Sequence, residues 1–287
     1  MKNFHRFLTF ALCAVLLACS KSDSNEETEA KAVDRRANLK TTGDSANDIL
    51  SNTNFDKLLI EIAYVSGFRP TSTTMTQFAD FLRQHTFKEA IEMRFLELDS
   101  PDKEDLELQE IADLEKENRT AYNEGKTLAI YIYFADAPSD GDDLDEGLVT
   151  VGAVYRNTSM VIYAKTIRRL ASQTTAISIA DVESATLNHE FGHLFGLVNL
   201  GSPSVNEHED PDAGNHCDVQ GCLMRAELQL GRVTGKSTSI KKGLQSVCDL
   251  SGNTVLNMLK SKSTSGKSNT VSLDAECVLD LKANGGR

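Results

Sequence analysis

Two histidines four residues apart, His189 and His193, stand in the run TLNHEFGHLFGLVN that begins at Thr186. On a helix, side chains at that spacing project from one face, one turn apart. Two imidazoles so placed can bind one zinc ion. Glu190 follows the first histidine directly. A carboxylate there can take a proton from a zinc-activated water and hand it to a leaving amine, while zinc polarises the carbonyl under attack. The chemistry this specifies is metal-assisted hydrolysis of a peptide bond, with His189 and His193 as ligands and Glu190 as general base. The competing reading is two surface histidines with a chance glutamate between them. A helix placed after a strand hairpin in an exported chain favours the metal.

A catalytic zinc takes three protein ligands and keeps one position open for water. The third ligand must come from beyond the helix, and Asn199, His208 and His216 are the candidates there. Gly196, seven residues after His189, can end the helix and turn the chain back beneath the metal.

The stretch from His189 to Gly196 fits HExxHxxG and resembles the zinc-binding helix of the metzincin peptidases. In that superfamily the third ligand, usually histidine, follows three residues after the glycine. The matching position here is Asn199, a neutral amide and a weak zinc ligand. Farther on, His216-Cys217, four residues and Cys222-Leu223-Met224 resemble the continuation found in archaemetzincins and in related exported bacterial lipoproteins. The resemblance implies His216 as third metal ligand, with His208 as the alternative. It implies Met224 as the Met-turn residue, an apolar floor under the histidines. Residues 197–215 are then an insertion. Archaemetzincins also carry a Cys-x-x-Cys pair that binds a second zinc. No such pair is present here, so one catalytic zinc and a Cys217–Cys222 disulfide are expected.

The elements that position these residues read as follows. Lys57 to Val65, Ile91 to Leu98 and Thr127 to Phe134 are predicted strands, the last nearly all apolar and therefore central. Thr73 to His85 has the spacing of a helix with one buried face, and a charged amphipathic helix is expected from about Asp102 to Tyr122. Val149 to Tyr155 and Ser159 to Tyr163 flank Arg156-Asn157-Thr158 and predict a hairpin. Ser178 with Asp181 three residues later predicts the cap of the metal-binding helix. Leu273 to Gly286 predicts a short C-terminal helix. The fold class is α/β (α+β), a metzincin-like mixed, mostly parallel sheet with an antiparallel edge strand, an active-site helix, a Met-turn and a C-terminal helix. In the family resembled, an extended substrate lies along the edge strand, which Val149 to Tyr155 or Ser159 to Tyr163 must contain. An exposed edge offers unpaired backbone groups to such a peptide. This architecture favours internal cleavage over trimming of ends.

Residues 1–18 are expected to be a signal peptide. Lys2 and Arg6 precede an apolar run from Phe7 to Ala18 of twelve residues, broken by Thr9. A bilayer span needs about twenty. The end, Leu16-Leu17-Ala18-Cys19, resembles a bacterial lipobox and implies lipidation at Cys19. Residues 19–54 are expected to be a disordered tether, since the stretch from Ser20 to Glu29 has almost nothing to bury. Its early acidic residues resemble the export signals of bacterial surface lipoproteins. The expected place is the bacterial outer membrane, lipid-anchored and facing the periplasm or the outside. Residues 55–287 are then the metzincin-like domain.

Four cysteines remain in the mature chain, Cys217, Cys222, Cys248 and Cys277. In an oxidising compartment they suggest disulfides, and the residues alone leave all three pairings open. Cys248 is expected to staple the polar stretch 231–270, where Leu244, Val247, Val255, Leu256 and Leu259 are packing candidates. The acidic loop from Asp136 to Glu146 offers oxygens of the kind calcium takes, but its spacing does not match an ordered calcium loop, and a solvated loop is expected. The net charge of -12 excludes the clustered basic surface that nucleic acid requires. The expected partners are a peptide or protein substrate and a membrane. A catalytically inactive binding protein on the same fold is the alternative. Against it, Glu190 is intact, and binding alone needs no proton carrier.

Overall fold

The computed structural model describes residues 34–226 apart from 144, 146–148 and 174, then 244, 248–264 and 271–287. The signal region with Cys13 and Cys19 lies outside the described residues, as do the side chains of Val247 and Cys248. Strands β1 (Lys57–Val65), β2 (Ala90–Leu98) and β3 (Thr127–Phe134) fall where the sequence predicts them. They join β4 (Thr150–Arg156), β5 (Ser159–Ile162) and β6 (Cys248–Ser251) in one six-stranded sheet of order β2-β1-β3-β5-β4-β6. β1 pairs in parallel with β2 and β3, and β3 with β5. β4 runs antiparallel to β5 and to β6. The sheet is therefore mixed and mostly parallel, with an antiparallel pair at one edge.

β3 sits near the middle, buried at every residue from Leu128 to Phe134, as a parallel strand covered on both faces must be. Among the described residues seven α-helices lie around the sheet. They are α1 (Ala46–Leu50), α2 (Ser72–His85), α3 (Leu108–Asn118), α4 (Ala164–Ser172), α5 (Ile179–Leu194), α6 (Gly252–Thr264) and α7 (Ala275–Ala283). One face carries α2 and α5, whose aromatics interlock: Phe78 meets Phe191 edge-on at 4.7 Å and Phe81 stacks on Phe195 at 5.8 Å. The opposite face packs Ile111 and Ala112 of α3 with Tyr131, Tyr133, Tyr155 and Val161.

Two expectations are corrected. The charged helix is shorter than residues 102–122. Glu107 and Glu110 form a capping box that starts it at Leu108, while Leu106 is drawn into a bridge with Ser139. The domain also begins well before residue 55. Residues 34–54 pack onto the sheet: Ile49 and Leu50 are fully buried, and Asn38 donates to the Ala129 carbonyl (3.1 Å) and to Thr158 Oγ1 (3.0 Å). Asn157 Nδ2 returns hydrogen bonds to Ala37 O and Ser45 Oγ at 2.8 and 2.7 Å. This segment is held largely through polar side chains, so composition alone makes it look like a tether.

Candidate metal centre

α5 starts on the predicted cap. Ser178 Oγ accepts from Asp181 N at 3.2 Å, and Asp181 Oδ2 accepts from Ser178 N at 2.8 Å. The helix is buried at every position from Val182 to Leu194, so its chemistry lies inside the domain rather than on a surface. It ends in a Schellman turn: Leu197 N donates to Gly192 O at 3.2 Å and Gly196 N to His193 O at 3.1 Å. Gly196 has φ +72, and a Cβ there would sit 2.9 Å from the Ala46 Cβ, so only glycine fits without strain. Asn284, at the end of α7, donates to the carbonyls of Phe195 (3.0 Å) and Gly196 (3.2 Å) and ties the C-terminal helix under this turn.

The structure brings His189, His193 and His216 together, with each ring offering a nitrogen within 4.8 Å of the others. His189 and His193 Nε2 atoms stand 3.1 Å apart. Ligands about 2.0–2.1 Å from one tetrahedral zinc lie roughly 3.3 Å from each other, so the pair has ligand spacing. The tautomers suit a metal as well. His189 Nδ1 donates to Leu223 O at 2.7 Å and His216 Nδ1 to Gly214 O at 2.9 Å, which leaves both Nε2 lone pairs directed elsewhere. His193 Nδ1 has no hydrogen-bond partner among the described residues. Burial drives all three rings toward the neutral, metal-binding form. His189 is pushed down to about 3, first by burial and then by His216; His193 falls well below the usual histidine range, and His216 falls too. The residues thus fit a divalent metal of the zinc type.

Glu190 is fully buried beside this cluster. Its carboxyl lies against β4: a Cβ on Gly152 would stand 3.0 Å from both Glu190 Cγ and Oε1. Met224 is buried under the helix, and a Cβ on Gly192 would come 2.1 Å from Met224 Sδ. The glycine inside the motif is what lets the methionine rise against the helix. Cys217 N donates to Met224 O at 2.8 Å, which locks the segment that delivers His216 to the turn beneath the histidine cluster.

Asn199 is occupied elsewhere. It donates to Glu209 Oε2 at 2.6 Å, and its carbonyl oxygen accepts from Ser204 N at 2.8 Å, so it clasps the 197–215 insertion. His208 is not among the three clustered histidines. Its Nε2 meets Asp280 Oδ2 at 2.9 Å and its Nδ1 faces Cys217 Sγ at 3.4 Å.

The expected Cys217–Cys222 disulfide is absent. Cys217, Cys222 and Cys277 are free thiols, and with Asp274 they form a second group whose ligand atoms all lie within 4.8 Å. Cys222 Sγ is 3.5 Å from Cys277 Sγ and 3.3 Å from Asp274 Oδ1. Thiolates on one tetrahedral zinc sit roughly 3.8 Å apart, from a Zn–S length of about 2.3 Å. Hydrogen bonds from Cys222 and Cys277 pull the Cys217 thiol down; Cys217 in turn pushes Cys222 up, and Cys217 with Cys222 push Cys277 up, because three clustered thiols resist ionising together without a cation. No cysteine-pair motif announces this group in the sequence, because its fourth corner is a carboxylate, in Asp274-x-x-Cys277. The acidic loop from Asp136 to Glu146 supplies no such group among the described residues.

A pH effect follows for the metal-free protein. His189 is neutral when folded, with its pKa lowered to about 3, and ordinary when unfolded. The unfolded chain therefore binds the extra proton first. This stability is present above about pH 6.5 and is lost as the pH falls toward 3. Chelator-treated protein is expected to unfold at lower urea at pH 4.5 than at pH 7.5, and equal midpoints would contradict the buried neutral histidines.

No protein-family model matches the chain, and no curated protein matches it. Among solved structures it is similar to archaemetzincin from Methanopyrus kandleri, at 14% identity and a TM-score of 0.39, over 81% of this chain and 96% of that one.

Proposed function

We propose that the chain is a zinc-dependent peptidase, with His189, His193 and His216 holding the metal and Glu190 as general base. The observation that carries this reading is the convergence of three neutral, buried imidazoles beside a buried glutamate. Zinc, when bound there, would supply Lewis acidity toward a substrate carbonyl and lower the pKa of a water. Glu190 would take the proton from the attacking water and pass it to the leaving amine. Leu223 O and Gly214 O hold His189 and His216 in register from behind. Met224, fully buried, packs against the helix at Gly192. Cys217, Cys222, Cys277 and Asp274 would hold a second, structural zinc, and His208 with Asp280 would orient Cys217.

The anchoring signals support a lipoprotein held at Cys19 on the bacterial outer membrane, acting on peptides or unfolded proteins. The test is hydrolysis of fluorescein-labelled, heat-unfolded casein by the full chain. Activity is expected to vanish after chelation and return with zinc. Activity that survives complete removal of metal would overturn the proposal.

A further inference from the structure

We propose that β6 is an internal plug that occupies the strand position a peptide substrate must take on β4, so that substrate binds by displacing it. This rests on the peptidase reading and concerns its regulation. Both hairpin strands expected to offer an exposed edge are flanked on both sides. β5 lies between β3 and β4, and β4 lies between β5 and β6. β4 is the strand that touches the glutamate, through Gly152. A peptide paired along the outer side of β4 would therefore run past Glu190. That side is filled by the chain itself. Leu250 pairs opposite Gly152, Asp249 opposite Ala153 and Cys248 opposite Val154, all antiparallel, and Gly252 N donates to Val149 O at 2.7 Å. Pairing of an added strand with a sheet edge is a general mode of peptide capture, and here it is satisfied in cis.

The rest of the segment closes over the same region. α6 continues directly from β6 and packs on α4 and α5, with Val255 and Leu259 fully buried. In this arrangement His189, Glu190 and His193 have no exposed surface, and His216 keeps only 7%. A scissile carbonyl cannot reach Glu190 in this arrangement. β6 is four residues long, which suits a strand that must be exchangeable. β6 and α6, which lie in a region without an assigned purpose on sequence grounds, thus gain one: they keep the site shut until an extended chain competes for β4.

The test compares the full chain with Asp249→Pro/Leu250→Pro. Successive strand residues point their N–H groups to opposite sides, so one of the two prolines removes a donor facing β4. The double variant, at unchanged zinc content, is expected to hydrolyse labelled unfolded casein at least tenfold faster. Equal or slower hydrolysis at full zinc overturns the plug. Should the variant lose zinc, Ala153→Cys/Asp249→Cys decides instead, because these positions face each other. Cross-linked protein is expected to be inactive and to recover on reduction, and full activity with the cross-link formed overturns the plug. Should no form hydrolyse casein while zinc is retained, the peptidase reading fails separately. The plug is then read by binding of a labelled octapeptide matching residues 246–253 with Ser for Cys248. Binding only to the proline variant supports it; equal binding to both forms, or to neither, overturns it.

Discussion

Glu190→Gln is expected to lower casein hydrolysis by about 10²–10⁴-fold, the usual worth of a positioned general base, without loss of metal. Glu190 is fully buried between the histidine pair and Gly152. Glutamine keeps its shape and packing, so the helix, the histidines and the contact with β4 survive. What is lost is the capacity to accept the water's proton and return it to the amine. The measurement is kcat and KM beside a zinc count on the same preparation. A fall in kcat with full zinc and near-constant KM assigns the proton transfer to Glu190. Retained kcat at full zinc would place the base elsewhere.

Cys222→Ser is expected to cost the fold more than any change at the histidines. Cys222 is fully buried to within 1% and lies between Cys277 and Asp274, so it joins the segment after His216 to the start of α7. A structural zinc contributes folding energy directly. Losing one of its ligands is expected to lower the thermal midpoint on the order of 10 °C for a domain of this size. The same cluster in a disulfide would respond to reductant, whereas a metal-bound cluster responds to chelator. The expected result is a melting point lowered by chelator and untouched by a mild reductant. The reverse pattern would restore the disulfide that the sequence suggested.

The strands and the metal-binding helix were legible because local pattern and tertiary role agree. TLAIYIYF can only be an interior strand, and Ser178 with Asp181 marks the start of α5. The three histidines were legible through spacing and through the Cys217, Cys222 and Met224 markers around the third. What stayed hidden depends on partners distant in sequence. Gly152 and Gly192 look ordinary until their missing side chains are seen to admit Glu190 and Met224. Leu223 acts through its carbonyl, which no side-chain pattern announces. Asp274 doubles as the cap of α7, accepting from Cys277 N at 3.0 Å, and that local role masks its place in the thiol cluster. α4 is only nine residues long, and the face it buries through Ala164, Ile167, Leu170 and Ala171 shows in the structure rather than in its composition. β6 has only four residues, too few for the alternation of Cys248 and Leu250 with Asp249 and Ser251 to mark a strand, so its place in the sheet is legible only from its pairing with β4.

The most direct measurement is the zinc content of the mature chain and of His216→Ala, folded with zinc supplied and counted by elemental analysis. Two zinc ions per intact chain and one in the variant are expected, with hydrolysis lost alongside the missing ion. Full zinc retained in His216→Ala, or none bound by the intact chain, would contradict that expectation.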